Sequence, residues 1–254
     1  MASFIINTKV ELWKCRKTAA YWLTLLASAF VSIVSFLMLV SKPEHFAQKL
    51  KTDAWRSYMN MSWQPAAAFF LPMYVILVTS LVVQIEYRNN TWKQVYASPR
   101  SYADVFFSKF LVIHLLILAS LLLFNCFMIL TGYTANIVVS GYTFFDTAIP
   151  WKDMLIITGK MYASILAVTA IQYWLSLRLR NYIAPVGIGL ALLITALMII
   201  EWEKIHIYPY AYTALTYFRN LNKGDQTHQY YSYVWFVGVL LLAFWDTVKR
   251  KERG

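Results

Sequence analysis

Few residues of this sequence have the type and spacing that catalytic or metal chemistry requires. Glu201, Glu203 and His206 could ligate a metal or exchange protons, because two carboxylates and an imidazole stand close together. Trp202 and Lys204 lie among them and are typical of a membrane border, so we favour a solvated surface position for all three. A membrane-embedded enzyme with its site at the outer face stays open as an alternative.

Motifs for nucleotide hydrolysis and for hydrolytic enzymes are absent from the sequence. It contains no G-x-x-x-x-G-K-[ST], so the chain cannot bind ATP through a P-loop, and it contains neither H-E-x-x-H nor G-x-S-x-G. Cys15 lies in a basic segment and Cys126 in an apolar run, which predicts two free thiols. We therefore expect no metal and no cofactor in this chain.

A charged and aromatic stretch, residues 84–100, lies between two apolar runs. Its larger apolar side chains have the i, i+3, i+4 spacing of one helix face: Trp92, Val95 and Tyr96. Pro99 ends the helical pattern, and Ser101 with Asp104 forms a capping box that opens the next helix. The stretch predicts a small rigid helix between two long ones.

The composition indicates an integral membrane protein. Of 254 residues, 59% are hydrophobic and 14% charged, with a mean hydropathy of +0.51, whereas soluble domains carry roughly 25% charged residues. The net charge of +11 could indicate a nucleic-acid partner, but the basic residues stand at the ends of apolar runs. We therefore expect a lipid bilayer and no nucleic acid as the surroundings of the chain.

The apolar runs predict an all-α fold of six transmembrane helices in one membrane domain, residues 1–254. The predicted spans are 21–40, 65–85, 104–132, 154–177, 182–200 and 230–245. The first run is too long for a signal peptide and is read as an uncleaved span. Between the spans we expect polar connections at 41–64, 133–149 and 201–229. The first of these connections is expected to contain one short helix near Trp55–Met61.

The distribution of basic residues predicts the orientation. Six spans put both termini on the same side of the membrane. The segments on that side, termini included, carry 13 Lys and Arg residues, and the segments on the other side carry 8. The positive-inside rule then predicts a multi-pass protein of the cell (inner) membrane, with both termini and the 86–100 helix in the cytoplasm.

The first 17 residues predict an amphipathic helix on the inner membrane surface, with its basic face outward; a floppy basic tail is the alternative. The residues on which this prediction rests are Glu11, Trp13, Lys14, Arg16 and Lys17.

Polar residues inside the spans have two interpretations. We expect His114, Asn125 and Gln172 to make hydrogen bonds between helices, and Lys160 to reach toward the interface. Asn125, Lys160 and Gln172 are also candidates for a substrate path. No Asp or Glu lies between the ends of the predicted spans, which argues against an ion-coupled carrier and favours energy from a partner.

The sequence resembles the permease subunits of type-2 ABC exporters, particularly short six-span members found with bacteriocin, lantibiotic and antibiotic-peptide export systems. Three stretches carry the resemblance. The first, Glu11–Lys17, is amphipathic, and the second, Glu86–Arg100, has an acidic residue, a short basic helix and a Ser-Pro end. The third is Tyr208-Pro209-Tyr210, which stands before the last span. The family often has a glycine where Asn89-Asn90-Thr91 stands, and Asn keeps a left-handed turn possible there.

The resemblance implies that 86–100 is a coupling helix that docks on a separate cytoplasmic ATPase, which would bind Mg-ATP. Trp92, Val95 and Tyr96 would fill a groove of that ATPase. Arg88, Lys93 and Arg100 would pair with its acids or with lipid phosphates. The complete predicted coupling set is Glu86, Tyr87, Arg88, Thr91, Trp92, Lys93, Val95, Tyr96, Ser98, Pro99 and Arg100.

The resemblance also implies a second permease copy or a sister permease, because six spans form half of the channel in similar exporters. An ordinary inner loop on lipid headgroups is the alternative for the 86–100 stretch, and a passive channel or scaffold is the alternative for the chain.

Overall fold

A computed structural model describes residues 2–88, 101–221 and 227–251, and every regular element within these ranges is helical. The α-helices are α1 (Ala2–Cys15), α2 (Ala19–Ser41), α3 (Pro43–Thr52), α4 (Ala54–Pro65), α5 (Leu71–Arg88), α6 (Tyr102–Val138), α7 (Trp151–Arg178), α8 (Ile183–Met198), α9 (Tyr212–Leu221) and α10 (Thr227–Lys251). The prediction of an all-α membrane fold is confirmed.

The second span is longer than predicted, because α4 and α5 form one continuous helix of 35 residues, Ala54–Arg88. A π-helical turn, Ala66–Phe70, joins them, and the Leu71 N–H donates to the Ala66 carbonyl across it. Pro72 follows at once; it has no N–H, and its ring crowds the carbonyl four residues earlier in a regular α-helix. A wider turn accommodates this ring without ending the helix.

Within the described ranges, five helical stretches are long and apolar enough to cross a membrane, and α8 is a shorter apolar helix of 16 residues. At 1.5 Å per residue α8 is about 24 Å long, less than the roughly 30 Å of a bilayer core. Helix α8 begins one residue after the start of the predicted span 182–200 and ends two residues before its end, while the other predicted spans lie within longer helices.

The short helix expected near Trp55–Met61 is present within Ala54–Pro65, and the described part of the 201–229 connection contains the helix Tyr212–Leu221. Ala54–Pro65 continues into the second span, and α9 packs against α7 and the π-helical turn. Tyr212 and Tyr217 of α9 are buried, and the Tyr217 hydroxyl donates to the Asn60 carbonyl at 2.8 Å. These two connections close one end of the helix bundle together.

Helix α1 and the last turns of α5, α7 and α10 meet at the other end, which we call the α1 end. There the Tyr87 hydroxyl donates to the Leu177 carbonyl at 2.7 Å, and Arg178 pairs with Asp246 of α10 at 3.3 Å. Arg56 and Asp153 form an ion pair of 3.0 Å at the opposite end. The long helices therefore alternate in direction, and α1 and the last turns of α10 lie at the same end.

Candidate functional site: a buried charge cluster

Four charged residues from three helices meet at the α1 end. Glu11 and Lys14 lie one turn apart on α1, Glu86 lies in the last turn of α5, and Lys109 lies two turns into α6. Ser101 caps α6 by accepting a hydrogen bond from the Asp104 N–H at 3.0 Å, as the capping box predicted. We call Glu11, Lys14, Glu86 and Lys109 the charge cluster.

Each ammonium group of the charge cluster contacts both carboxylates. The Lys109 Nζ lies 2.5 Å from Glu11 Oε2 and 3.4 Å from Glu86 Oε1. The Lys14 Nζ lies 2.6 Å from Glu11 Oε1 and 2.8 Å from Glu86 Oε1. These four contacts form a ring of alternating charges that joins α1, α5 and α6.

Because these side chains are buried, separating their opposite charges costs free energy. The side chains of Lys109 and Glu86 are 1% and 2% exposed, that of Glu11 is 7% exposed, and that of Lys14 is 31% exposed. A buried ion loses several kcal/mol of hydration, and only close opposite charges compensate for that loss. Lys14 is the member that faces solvent, so solvent can reach the ring from its side.

Two residues of α1 at the charge cluster, Lys14 and Cys15, have shifted pKa values. Burial lowers the pKa of Lys14, but the hydrogen bonds and charges of Glu11 and Glu86 together outweigh burial and raise it above its ordinary value. Burial raises the pKa of the Cys15 thiol to about 11, and Cys15 is 2% exposed. Cys15 and Cys126 are both free thiols, as the sequence predicted.

Three residues of the predicted coupling set lie at the end of the second span. Glu86, Tyr87 and Arg88 are the last residues of α5 and continue that span without a break. Glu86 contacts Lys14 and Lys109 in the charge cluster. The remaining predicted coupling residues lie outside the described residues: Thr91, Trp92, Lys93, Val95, Tyr96, Ser98, Pro99 and Arg100.

The predicted N-terminal helix is present as α1, and Lys14 of its predicted basic face lies against the charge cluster. Glu11 and Lys14 face the charge cluster instead of pointing outward, because the buried face of α1 packs on α6. Trp13 is 77% exposed, and Arg16 and Lys17 are also exposed, as a helix at a membrane surface requires.

Two of the candidate substrate-path residues, Asn125 and Gln172, have different hydrogen-bond partners. The Asn125 side-chain amide donates to Thr158 Oγ1 at 2.9 Å, and that of Gln172 donates to Ser80 Oγ at 3.0 Å and to the Pro185 carbonyl at 2.7 Å. Lys160 is half-buried on α7. His114 Nδ1 lies 3.0 Å from the Tyr162 hydroxyl, so the expected interhelical bonds are present.

The residues of the alternative outer-face site lie near the start of the 201–229 connection. Glu201 and Glu203 are exposed, and the His206 ring packs on Tyr231 at 5.5 Å between centroids. In the part of the chain that the structure describes, no group of three or more His, Cys, Asp or Glu residues could hold a metal ion.

Lys109 was missed by sequence reasoning. The signal was present, because a lysine within an apolar run needs a buried acid or access to solvent. Its two partners lie 98 and 23 residues away in the sequence, so spacing alone could not identify them.

Comparison with known protein families places this chain's sequence beside one of them. Residues 8–196 match a family described as "ABC-2 family transporter protein", and the match includes all four members of the charge cluster. No curated protein and no solved structure matched the chain.

Proposed function

The chain belongs to the ABC-2 family of transporter proteins, and on that premise we propose that it is the membrane subunit of an ATP-driven exporter. Members of this family are transport membrane subunits that typically work with an ATPase subunit. A separate cytoplasmic ATPase would bind Mg-ATP and supply the energy, and the cargo would be a peptide, an antibiotic or a lipid-like molecule. A second copy or a sister permease would complete the channel.

The charge cluster is the observation that supports this proposal. Glu86 lies three residues before the segment 89–100, and Lys109 lies nine residues after it. Because Lys109 and Lys14 both contact Glu86 and Glu11, the two helices that flank the segment are bound to each other and to α1. A push on the segment would therefore move α5, α6 and α1 together instead of bending their ends.

The proposed contacts with the ATPase lie in the segment itself. Trp92, Val95 and Tyr96 would fill a groove of the ATPase, and Lys93 and Arg100 would pair with its acids. This arrangement requires the α1 end to face the cytoplasm, in the cell membrane, with both termini inside. Cysteine substitutions at Lys93 and Lys51 test the orientation: an impermeant maleimide added outside intact cells should label only the second position.

The decisive experiment is copurification of a tagged chain with its ATPase. We expect Trp92→Ala with Tyr96→Ala to reduce ATPase recovery at least tenfold while membrane insertion is retained. Trp151→Ala with Tyr230→Ala is the matched control, since these aromatic side chains are 58% and 67% exposed at the opposite end. If no ATPase copurifies with the unmodified chain, or if both double variants recover it equally, the proposal is wrong.

A further inference from the structure

The side of α1 that faces away from the helix bundle is mostly apolar. Burial follows the helical period, because Asn7, Glu11 and Cys15 are buried and stand four residues apart. The opposite side is exposed, and most of its residues are large and apolar: Ile5, Ile6, Lys9, Leu12, Trp13 and, directly after the helix, Arg16. We call these six residues the outer face of α1.

The polarity of α1 is the reverse of the polarity that water favours. In a helix on the surface of a soluble protein, apolar side chains face the core and charged side chains face solvent. Here Glu11, the only acid among the first 18 residues, is buried. Ile5, Ile6 and Trp13 are 55%, 56% and 77% exposed. An apolar surface of this kind is typical of a site that contacts a membrane or another protein.

The position of α1 favours the membrane as this contact. Helix α1 ends at Cys15, and α2, which is long and apolar enough to cross the membrane, begins at Ala19. Four steps along the chain reach at most about 14 Å, so the end of α1 stays close to the start of that span. Tyr21 and Trp22 are 42% and 57% exposed in the first turn of α2, which is typical of aromatic residues at a bilayer border.

The charged residues of the outer face are both basic. Lys9 and Arg16 are exposed and stand seven residues apart, which is two helical turns or about 10 Å along the axis. Long basic side chains extend from apolar surroundings toward lipid headgroups. A helix that combines exposed apolar residues with cations binds anionic lipid surfaces through both kinds of contact.

The acids at this end of the protein are already engaged. Glu11 and Glu86 contact the lysines of the charge cluster. Asp246 pairs with Arg178 at 3.3 Å and accepts a hydrogen bond from the Trp174 indole at 3.1 Å. A second copy of this chain would therefore offer the outer face of α1 no free acid from these three positions. Anionic lipids offer negative charge and hydrocarbon together, so they fit the face better.

We propose that the outer face of α1 binds anionic phospholipids. Its four apolar side chains enter the border of the acyl region, and Lys9 and Arg16 pair with the phosphate groups of neighbouring lipids. A zwitterionic headgroup also carries an ammonium group, for which the outer face has no acid, so anionic lipids are preferred. Glu11 on the other side of the helix contacts Lys109, so the charge cluster and the lipid hold α1 from opposite sides.

Photolabelling of the full chain in nanodiscs, without any ATPase, tests the preference for anionic lipids. The nanodiscs consist of phosphatidylcholine with a small fraction of a diazirine probe, either a phosphatidylglycerol or a phosphatidylcholine with the same acyl chains. We expect mass spectrometry to find more of the anionic probe on the peptides that contain α1. Lys9→Gln with Arg16→Gln should reduce this labelling at least fivefold, since one cation near a lipid surface contributes about 1 kcal/mol, a factor of about five.

The matched control removes two exposed cations at the opposite end of the bundle, Lys42→Gln with Lys152→Gln. This double variant should leave the labelling of α1 unchanged. Equal labelling of α1 by the two probes overturns the proposal. Anionic labelling that persists in the variant without Lys9 and Arg16 overturns it as well, because the preference then comes from the general charge of the protein.

Spin labels test whether the apolar part of the outer face lies in lipid. In a background with Cys15→Ala and Cys126→Ala, one nitroxide is attached through Leu12→Cys and another through Lys51→Cys, an exposed position at the opposite end. The nitroxide at position 12 should collide more with oxygen, which dissolves in lipid, than with an aqueous nickel complex. The nitroxide at position 51 should show the opposite order.

Two results at position 12 contradict the proposal. More frequent collisions with nickel than with oxygen would place the outer face in water. Infrequent collisions with both would mean that a protein surface, such as a second copy of the chain, covers the face.

These measurements contain no ATPase, so they are independent of the proposed transport function. If an ATPase copurifies with the chain and α1 does not prefer the anionic probe, this inference alone is wrong. If α1 prefers the anionic probe and no ATPase copurifies, the lipid site stands and the proposed transport function is wrong.

Discussion

Lys109 of α6 and Glu11 of α1 form a buried ion pair with 2.5 Å between Nζ and Oε2, although 98 residues separate them in the sequence. This pair joins α1 to α6 across the face on which the two helices pack. Because Lys109 also contacts Glu86, the same ammonium group joins the end of the second span to the start of the third.

Removing Lys109 should destabilise the protein strongly. Lys109→Met leaves Glu11 and Glu86 buried with Lys14 as their remaining cation in the cluster, and breaking a buried ion pair costs about 3–5 kcal/mol. We expect a large fall in the thermal unfolding temperature in detergent, measured by loss of monodisperse protein. Arg56→Met is the control, since its exposed pair with Asp153 is worth at most about 1 kcal/mol. Equal shifts for the two variants would contradict a buried, functional ring.

The ring should also show coupling between its members. Lys109→Met changes the charge of the cluster to −1, Glu11→Gln changes it to +1, and the double variant returns it to zero. The double variant should therefore lose less stability than the sum of the two single variants, with a coupling energy of about 1–3 kcal/mol. Additive effects in a double-mutant cycle would show that the two side chains act independently.

The contribution of Lys14 to stability should be constant near neutral pH and disappear in strong alkali. Its pKa is raised above the ordinary 10.5, so the folded state binds this proton more tightly than the unfolded state does. The stabilisation is complete below pH 10.5 and is lost as the pH rises through the raised pKa. The unfolding-temperature difference between the unmodified chain and Lys14→Met should therefore be equal at pH 7 and pH 9. A difference that shrinks over this interval would refute the assignment.

The sequence predicted the long apolar helices well because their signal is local. A run of apolar residues such as Ala19–Ser41 must become a helix in a bilayer, since its backbone polar groups have no other partners there. The capping box at Ser101 and Asp104 is local in the same sense, and it marks the start of α6 correctly.

Long-range pairing could not be read from the sequence. Tyr212 and Tyr217 lie in a segment of mixed polarity, which is typical of a loop. They are nevertheless buried, because their helix packs against α4 and α7. Glu86 reads as a border residue for the same reason, since its partners Lys14 and Lys109 belong to two other helices. Each of these assignments needs the packing of helices that sequence periodicity does not specify.

The reactivity of Cys15 should show whether α1 stays packed against the helix bundle. Its thiol is 2% exposed, and burial raises its pKa to about 11, so at pH 7.5 it should hardly react with maleimide. In a Cys126→Ala background, Lys109→Met should increase its labelling rate several-fold, because α1 loses its main buried ion pair. Arg56→Met provides the comparison at the opposite end of the bundle. Fast labelling in the unmodified protein would mean that α1 is not held as described.

Gly189 should tolerate no side chain, whereas Gly187 on the same helix should. A Cβ at Gly189 would lie 2.6 Å from Gln172 Oε1 and 2.8 Å from Ile76 Cγ2. Gln172 cannot move aside easily, because its amide nitrogen donates both to Ser80 and to the Pro185 carbonyl. Gly189→Ala should therefore destabilise the protein by about 1–3 kcal/mol, the usual cost of overpacking.

A Cβ at Gly187 meets nothing within 4 Å, so Gly187→Ala should be neutral or stabilise the helix by about 0.5–1 kcal/mol. Unfolding temperatures of the two variants, measured side by side in one detergent, decide the matter. A loss at position 187 as large as that at 189 would mean that α8 does not pack on α5 and α7 through its Gly189 face.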